Sequence, residues 1–213
     1  MAHKNKNALV QLAETMADNK YVMGNRLVEV GVSGPTIEAT LSSISLSQGE
    51  LSHARLLYRW SNDMQGLQTK KVKAVKQPEK VFPQMKEATN WIELIVGLYV
   101  NNVAIQAVLR EIMKNKQQEL NLQFSKMMIE LEDHLTYAKE WCHLLIHDKG
   151  SIPKKFVENL ERAVQPVEKW LNEVENNKEL QQLGVISQDS NLTSLFKETI
   201  ATLPVTRTGQ RVS

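Results

Sequence analysis

Glu50 and His53 lie three residues apart in the stretch SLSQGELSHARLLYRW, residues 45 to 60. On a helix that spacing sets a carboxylate and an imidazole on one face, one turn apart, where both can reach a shared metal. Their apolar neighbours Leu46, Leu57 and Trp60 repeat at helical spacing, so the pair points into a core. Three further polar residues interrupt otherwise apolar stripes: Lys20, Asn102 and His134. A lone Glu-x-x-His arises by chance on many amphipathic helices. Four separately registered interruptions carry more, because antiparallel helices of similar length bring their midpoints to one level. A lysine among them argues against a metal, because its ammonium would repel a cation and can itself be the positive centre paired with Glu50.

Other chemistry-bearing residues carry less. Cys142 follows Trp141 with no activating base that the spacing supplies, which favours a buried thiol. His143 and His147 stand four apart near a helix end, where histidine commonly serves the helix dipole and only secondarily a metal.

The elements that must position the polar residues are four long periodic segments. The first, about 6 to 32, carries Leu9, Ala13, Met16, Met23, Leu27 and Val30, with the series landing on Lys20. The second opens at Ser33, Gly34 and Pro35, with proline in its first turn, and runs to about Asp63. The third, about 82 to 115, has Ile95, Leu98, Ile105, Leu109 and Ile112 on one stripe around Asn102. The fourth, about 117 to 147, carries Phe124, Met127, Leu131, His134, Ala138 and Trp141, and ends where HDKGSIP supplies Gly150 and Pro153. A shorter helix, about 153 to 176, is predicted to bend or break near Pro166, and another spans about 190 to 201 before a tail.

The sequence therefore predicts one all-α domain over 1–213, with a bundle core at about 6–147, accessory helices at about 153–201 and a tail at 202–213. Only 9 Gly and 6 Pro punctuate 213 residues, which leaves few places for a sheet to turn. A net charge of +2 argues against a nucleic-acid partner. A single cysteine excludes an internal disulfide. No apolar run reaching roughly 20 residues is expected, and the start MAHKNKNALVQ has no apolar signal segment, so a cytoplasmic protein without a membrane partner is expected. The linker KKVKAVKQPEK places Lys70, Lys71, Lys73, Lys76 and Lys80 against the one acid Glu79. It reads as a solvated loop or, less simply, a patch for a phosphorylated ligand or an acidic surface.

The polar layer resembles the metal layer of ferritin-like di-iron carboxylate proteins, in which a Glu from each of two helices joins a Glu-x-x-His from each of the other two. That pattern, laid on this chain, puts the lone glutamates at Lys20 and Asn102 and the second Glu-x-x-His at Leu131 and His134. Glu50, His53 and His134 keep ligand chemistry, whereas Lys20, Asn102 and Leu131 lack the carboxylate. One Glu with two His falls short of what a di-iron pair needs for ligation and charge. The layer reads as a degenerate site, with no metal expected or, if any, one held by Glu50, His53 and His134.

The stretches MADNKYVMGNRLVEVGVSGPTIEATLSSISL, HARLLYRWSNDMQG and ELEDHLTYAKEW resemble the structural, non-catalytic C-type subunit of the bacterial multicomponent phenylacetyl-CoA monooxygenase (epoxidase). The resemblance runs through most of residues 9 to 145, and RTGQR in the tail is faintly similar. It implies a ferritin-like four-helix bundle with additional C-terminal helices, no cofactor in this chain, and a complex with a homologous catalytic subunit that holds the di-iron centre. Alone, such a chain is expected as a homodimer. Two departures stand out: the Glu50 and His53 pair is closer to the catalytic subunits, and the chain ends sooner than a structural subunit. Two other readings stay open: a ferritin-like metal protein or oxidoreductase with a mononuclear site, and a free-standing helical interaction module.

Overall fold

The computed structural model describes residues 2–67, 80–115 and 118–204, and no strand occurs among them. Lys70, Lys71, Lys73 and Lys76 of the basic linker and the RTGQR tail lie outside the described residues. The elements are α1 (Ala2–Glu29), a single 3-10 turn (Gly31–Ser33), α2 (Ile37–Met64), α3 (Pro83–Glu87), α4 (Trp91–Asn115), α5 (Gln118–Ile146), α6 (Ile152–Glu175), α7 (Lys178–Gln182) and α8 (Leu192–Ala201).

The first two long helices form an antiparallel hairpin. Ser47 donates to the Gly24 carbonyl at 2.7 Å, and Tyr58 donates to Asp18 further along. Their backbones approach so closely that a Cβ on Gly24 would meet Leu51 Cγ at 2.7 Å. Helix α2 starts later than the sequence predicts. Residues Gly31–Ser33 form the 3-10 turn, Pro35 stays outside the helix, and Thr36 caps it, its hydroxyl accepting from the Ala39 amide at 3.1 Å. The cap satisfies one of the first-turn amides that have no partner within the helix.

The expected third segment is two helices, not one. Residues 88–90 separate α3 from α4, where Ala88 adopts an extended ψ of 118° and Thr89 and Asn90 bond Glu93 locally. Helix α4 is buried nearly all round, from Leu94 to Ile112, because α1, α5, α6 and α8 all pack on it. By length and composition it is the one described helix capable of crossing a membrane, contrary to the expectation that no such run exists, yet 78% of its apolar window is inside the protein.

Pro166 neither breaks nor interrupts α6. The helix gives up one backbone hydrogen bond there and keeps its buried stripe of Phe156, Leu160, Ala163, Val167, Leu171 and Val174, whose burial outweighs the lost bond. Gly150 closes the α5–α6 turn with φ +70°, and Pro153 sits in the first turn of α6. The short α7 has no apolar period of its own and goes unpredicted; Asn177 caps it with bonds to the Glu179 and Leu180 amides.

Buried apolar side chains from Leu12 to Leu203 form one cluster. The protein is all-α, with the architecture of a ferritin-like bundle bearing additional C-terminal helices.

Candidate functional site

The polar interruptions of the four stripes meet in the centre of the bundle. Lys20 on α1, Glu50 on α2 and Asn102 on α4 are fully buried, and His53 on α2 and His134 on α5 nearly so. Lys20 Nζ donates to Glu50 Oε1 at 3.0 Å and to Asn102 Oδ1 at 2.8 Å. Asn102 Nδ2 donates to the same Glu50 Oε1 at 3.0 Å, and His134 Nδ1 lies 2.7 Å from it. One carboxylate oxygen therefore receives three donors from three helices. The sixth residue of the layer, Leu131, is fully buried one turn before His134 and belongs to the apolar cluster.

These bonds decide the charge states. Burial alone pushes the Glu50 carboxyl up, but the Lys20 ammonium, the His134 hydrogen bond and the nearby imidazoles outweigh it and hold Glu50 far below the usual carboxylate range. Burial pulls the Lys20 ammonium down, with Glu50 opposing. An ion pair with no net charge is the state in which both groups keep their partners.

His53 is held by a residue that the sequence pattern misses. Its Nε2 lies 3.0 Å from Glu130 Oε2, and Glu130 Oε1 is 3.5 Å from Lys126 Nζ. Glu130 sits one residue before the position where the family spacing places a glutamate, and four before His134. That i, i+4 relation to His134 is the only sequence signal that could have found it. Burial first, then the Lys20 and His134 charges, lowers the His53 pKa to about 4, against the opposing pull of Glu50 and Glu130. Unfolded histidine, with an ordinary value of 6.5, takes a proton before the folded protein does. The His53 contribution to stability is thus full above about pH 6.5 and declines toward pH 4, by up to about 3 kcal/mol. Urea unfolding at pH 7 and pH 5 should show the decline, and His53→Gln should flatten it.

The rings of His53 and His134 lie with centroids 5.3 Å apart. Gly49 makes room for the second: a Cβ there would come within 2.6 Å of His134 Cε1 and Nε2. Gly49→Ala, normally favourable inside a helix by up to about 1 kcal/mol, is expected to destabilise by about 1–3 kcal/mol through displacement of the buried ring. A thermal melt checks the sign.

Glu50, His53 and His134 offer ligand atoms that all lie within 4.8 Å of one another, and Glu50 Oε2 and His53 Nδ1 have no hydrogen-bond partner among the described residues. That set has the composition of a single-ion site of the two-histidine, one-carboxylate kind. It does not fit a di-iron pair. The one further carboxylate nearby, Glu130, is taken up by His53 and Lys126, Leu131 offers no donor, and the ammonium 3.0 Å from Glu50 Oε1 repels any cation placed between them.

The remaining sequence candidates lie apart from the layer. The Cys142 thiol is buried, which pushes its pKa up and suits a packing role. His147 Nδ1 donates to the His143 carbonyl at 2.8 Å at the end of α5, so it serves the helix terminus. Lys80, the described end of the basic linker, pairs with Glu14 at 2.9 Å while Asp18 and Asn19 clamp its backbone.

A family model described as phenylacetic acid catabolic protein matches residues 1–206. No curated protein matches the chain. With almost its whole length covered, the chain belongs to the phenylacetic acid catabolic protein family.

Proposed function

We propose that this chain is the structural, non-catalytic subunit of a phenylacetyl-CoA-type ring-oxygenating complex of the cytoplasm, supporting a homologous ferritin-like subunit that carries the di-iron centre. Family membership supports the catabolic role and the multicomponent setting. The observation that carries the non-catalytic assignment is the Lys20 ammonium, fully buried and bonded to the one carboxylate of the layer. It supplies positive charge where a catalytic relative would need a metal, and the Lys20, Glu50 and Asn102 triangle turns the layer into a fastening between three helices.

A partner needs a surface. Helix α2 exposes Ile37 (76%), Leu41 (62%) and Ile44 (40%) at i, i+4 and i+7, one face of its first half, with Val28 and Val32 exposed just before it. An apolar stripe of this kind suits packing against a helix of a second bundle. Co-expression with a ferritin-like catalytic subunit tests the reading. A complex that survives size exclusion, and is lost in Leu41→Asp with an unchanged melting temperature, is expected. A chain that stays monomeric and leaves the catalytic subunit's turnover unaltered contradicts it.

A second reading rests on one observation, the unpartnered Glu50 Oε2 and His53 Nδ1 within reach of His134. It makes the chain a metal-binding protein with a mononuclear site, and metal analysis separates the two.

A further inference from the structure

A groove of about 430 Å³ lies between α2 and α5, with His53 in its lining. Arg55 and Arg59 stand on its α2 wall, both exposed, at i, i+4 spacing that sets both on one face of the helix. Neither has an ion pair among the described residues. Lys126 faces them from α5, and Asn62 and Gln123 add amide donors to the lining. The sole carboxylate of the lining is Glu130, already engaged by His53 and Lys126. Three cations against one occupied carboxylate leave a positive hollow whose like-charged arginines gain nothing from each other.

We infer that this groove binds the phosphate group of a small organic phosphate. Each guanidinium presents a fork of parallel N–H donors that matches phosphate oxygens, and a phosphate monoester carries about −1.5 to −2 charge at neutral pH, enough to balance the hollow. Leu56 and Met127 supply an apolar floor, and the volume exceeds that of the anion alone, so an apolar substituent on the phosphate lies against them. His53 joins this lining to the central layer: its Nε2 holds the groove's carboxylate while its ring stacks toward His134. The site stands on its own residues, whether or not the chain works beside a catalytic subunit.

Titration calorimetry of the full chain with phenyl phosphate and with inorganic phosphate tests the assignment. One saturable site is expected for phenyl phosphate, tighter than for inorganic phosphate, weakening steeply as salt rises. Arg55→Ala with Arg59→Ala should weaken it about tenfold or more. Both side chains are exposed and have no ion pair among the described residues, so the double variant should melt no lower than the parent. Lys126→Ala, whose charge is shared with Glu130, should weaken binding less. No saturable binding, or binding undiminished in the double variant, overturns the site. Inorganic phosphate binding as tightly as the ester overturns the ester assignment.

Discussion

Glu50→Ala is expected to lower the unfolding free energy by about 3–5 kcal/mol, among the largest effects of any substitution in the protein. The cause is what the change leaves behind. Glu50 Oε1 receives Lys20, Asn102 and His134 at 2.7 to 3.0 Å, and with the carboxylate gone a fully buried ammonium retains only the Asn102 oxygen. Burial already pulls Lys20 down, so the variant partly escapes by folding with a neutral lysine. A lowered lysine pKa penalises the folded state below the unfolded value of about 10.4, hence the deficit should shrink as pH rises from 7 to 10. Chemical denaturation across that range measures it. A deficit under about 1 kcal/mol at pH 7 would mean that the layer holds little of the bundle together.

Lys20→Met is expected to do two things. At pH 8 it destabilises by about 3–5 kcal/mol, because Glu50 loses its largest source of compensation and stays buried with only its hydrogen bonds and the nearby imidazoles. The Glu50 pKa then rises above its unfolded value, a shift whose stability contribution is lost as pH rises, so the deficit should be smaller at pH 5 than at pH 8. The second effect is a gain. With the ammonium removed, Glu50, His53 and His134 remain as ligand atoms within 4.8 Å, and a divalent cation becomes the natural counter-charge. Zinc at a hundredfold excess over its Kd should return about 2.7 kcal/mol to the variant and nothing comparable to the parent. Melting both proteins with and without zinc checks this, and equal response in the two would show that Lys20 does not occupy the cation's role.

Much of the layer was legible because each residue breaks a strong apolar period: Lys20 between Met16 and Met23, Asn102 between Leu98 and Ile105, His134 between Leu131 and Ala138. In a buried stripe such breaks need partners, and helices of similar length put them at one height. The contacts themselves were beyond the sequence, since the Lys20–Glu50 bond joins residues thirty apart and the Lys20–Asn102 bond eighty-two apart. Glu130 was hidden for another reason: it lies off the buried stripe, half exposed, and matters only because His53 reaches it from another helix. Boundaries failed where short-range chemistry competes with period. Thr36 took the cap that Ser33 was expected to open, residues 88–90 split one expected helix into α3 and α4, and Pro166 was outweighed by the apolar stripe around it. Helix α4 shows the limit of hydropathy: a helix covered on nearly every side by others is as apolar as one that crosses a membrane.

Whether an ammonium or a metal sits with Glu50 is read from the metal content per chain. The protein is expressed in medium supplemented with iron, manganese and zinc, and analysed elementally beside Glu50→Ala. The expected result is less than about a tenth of an equivalent of any of the three in both proteins. A stoichiometric metal in the parent that disappears in Glu50→Ala contradicts the Lys20–Glu50 pairing and makes the layer a working metal centre.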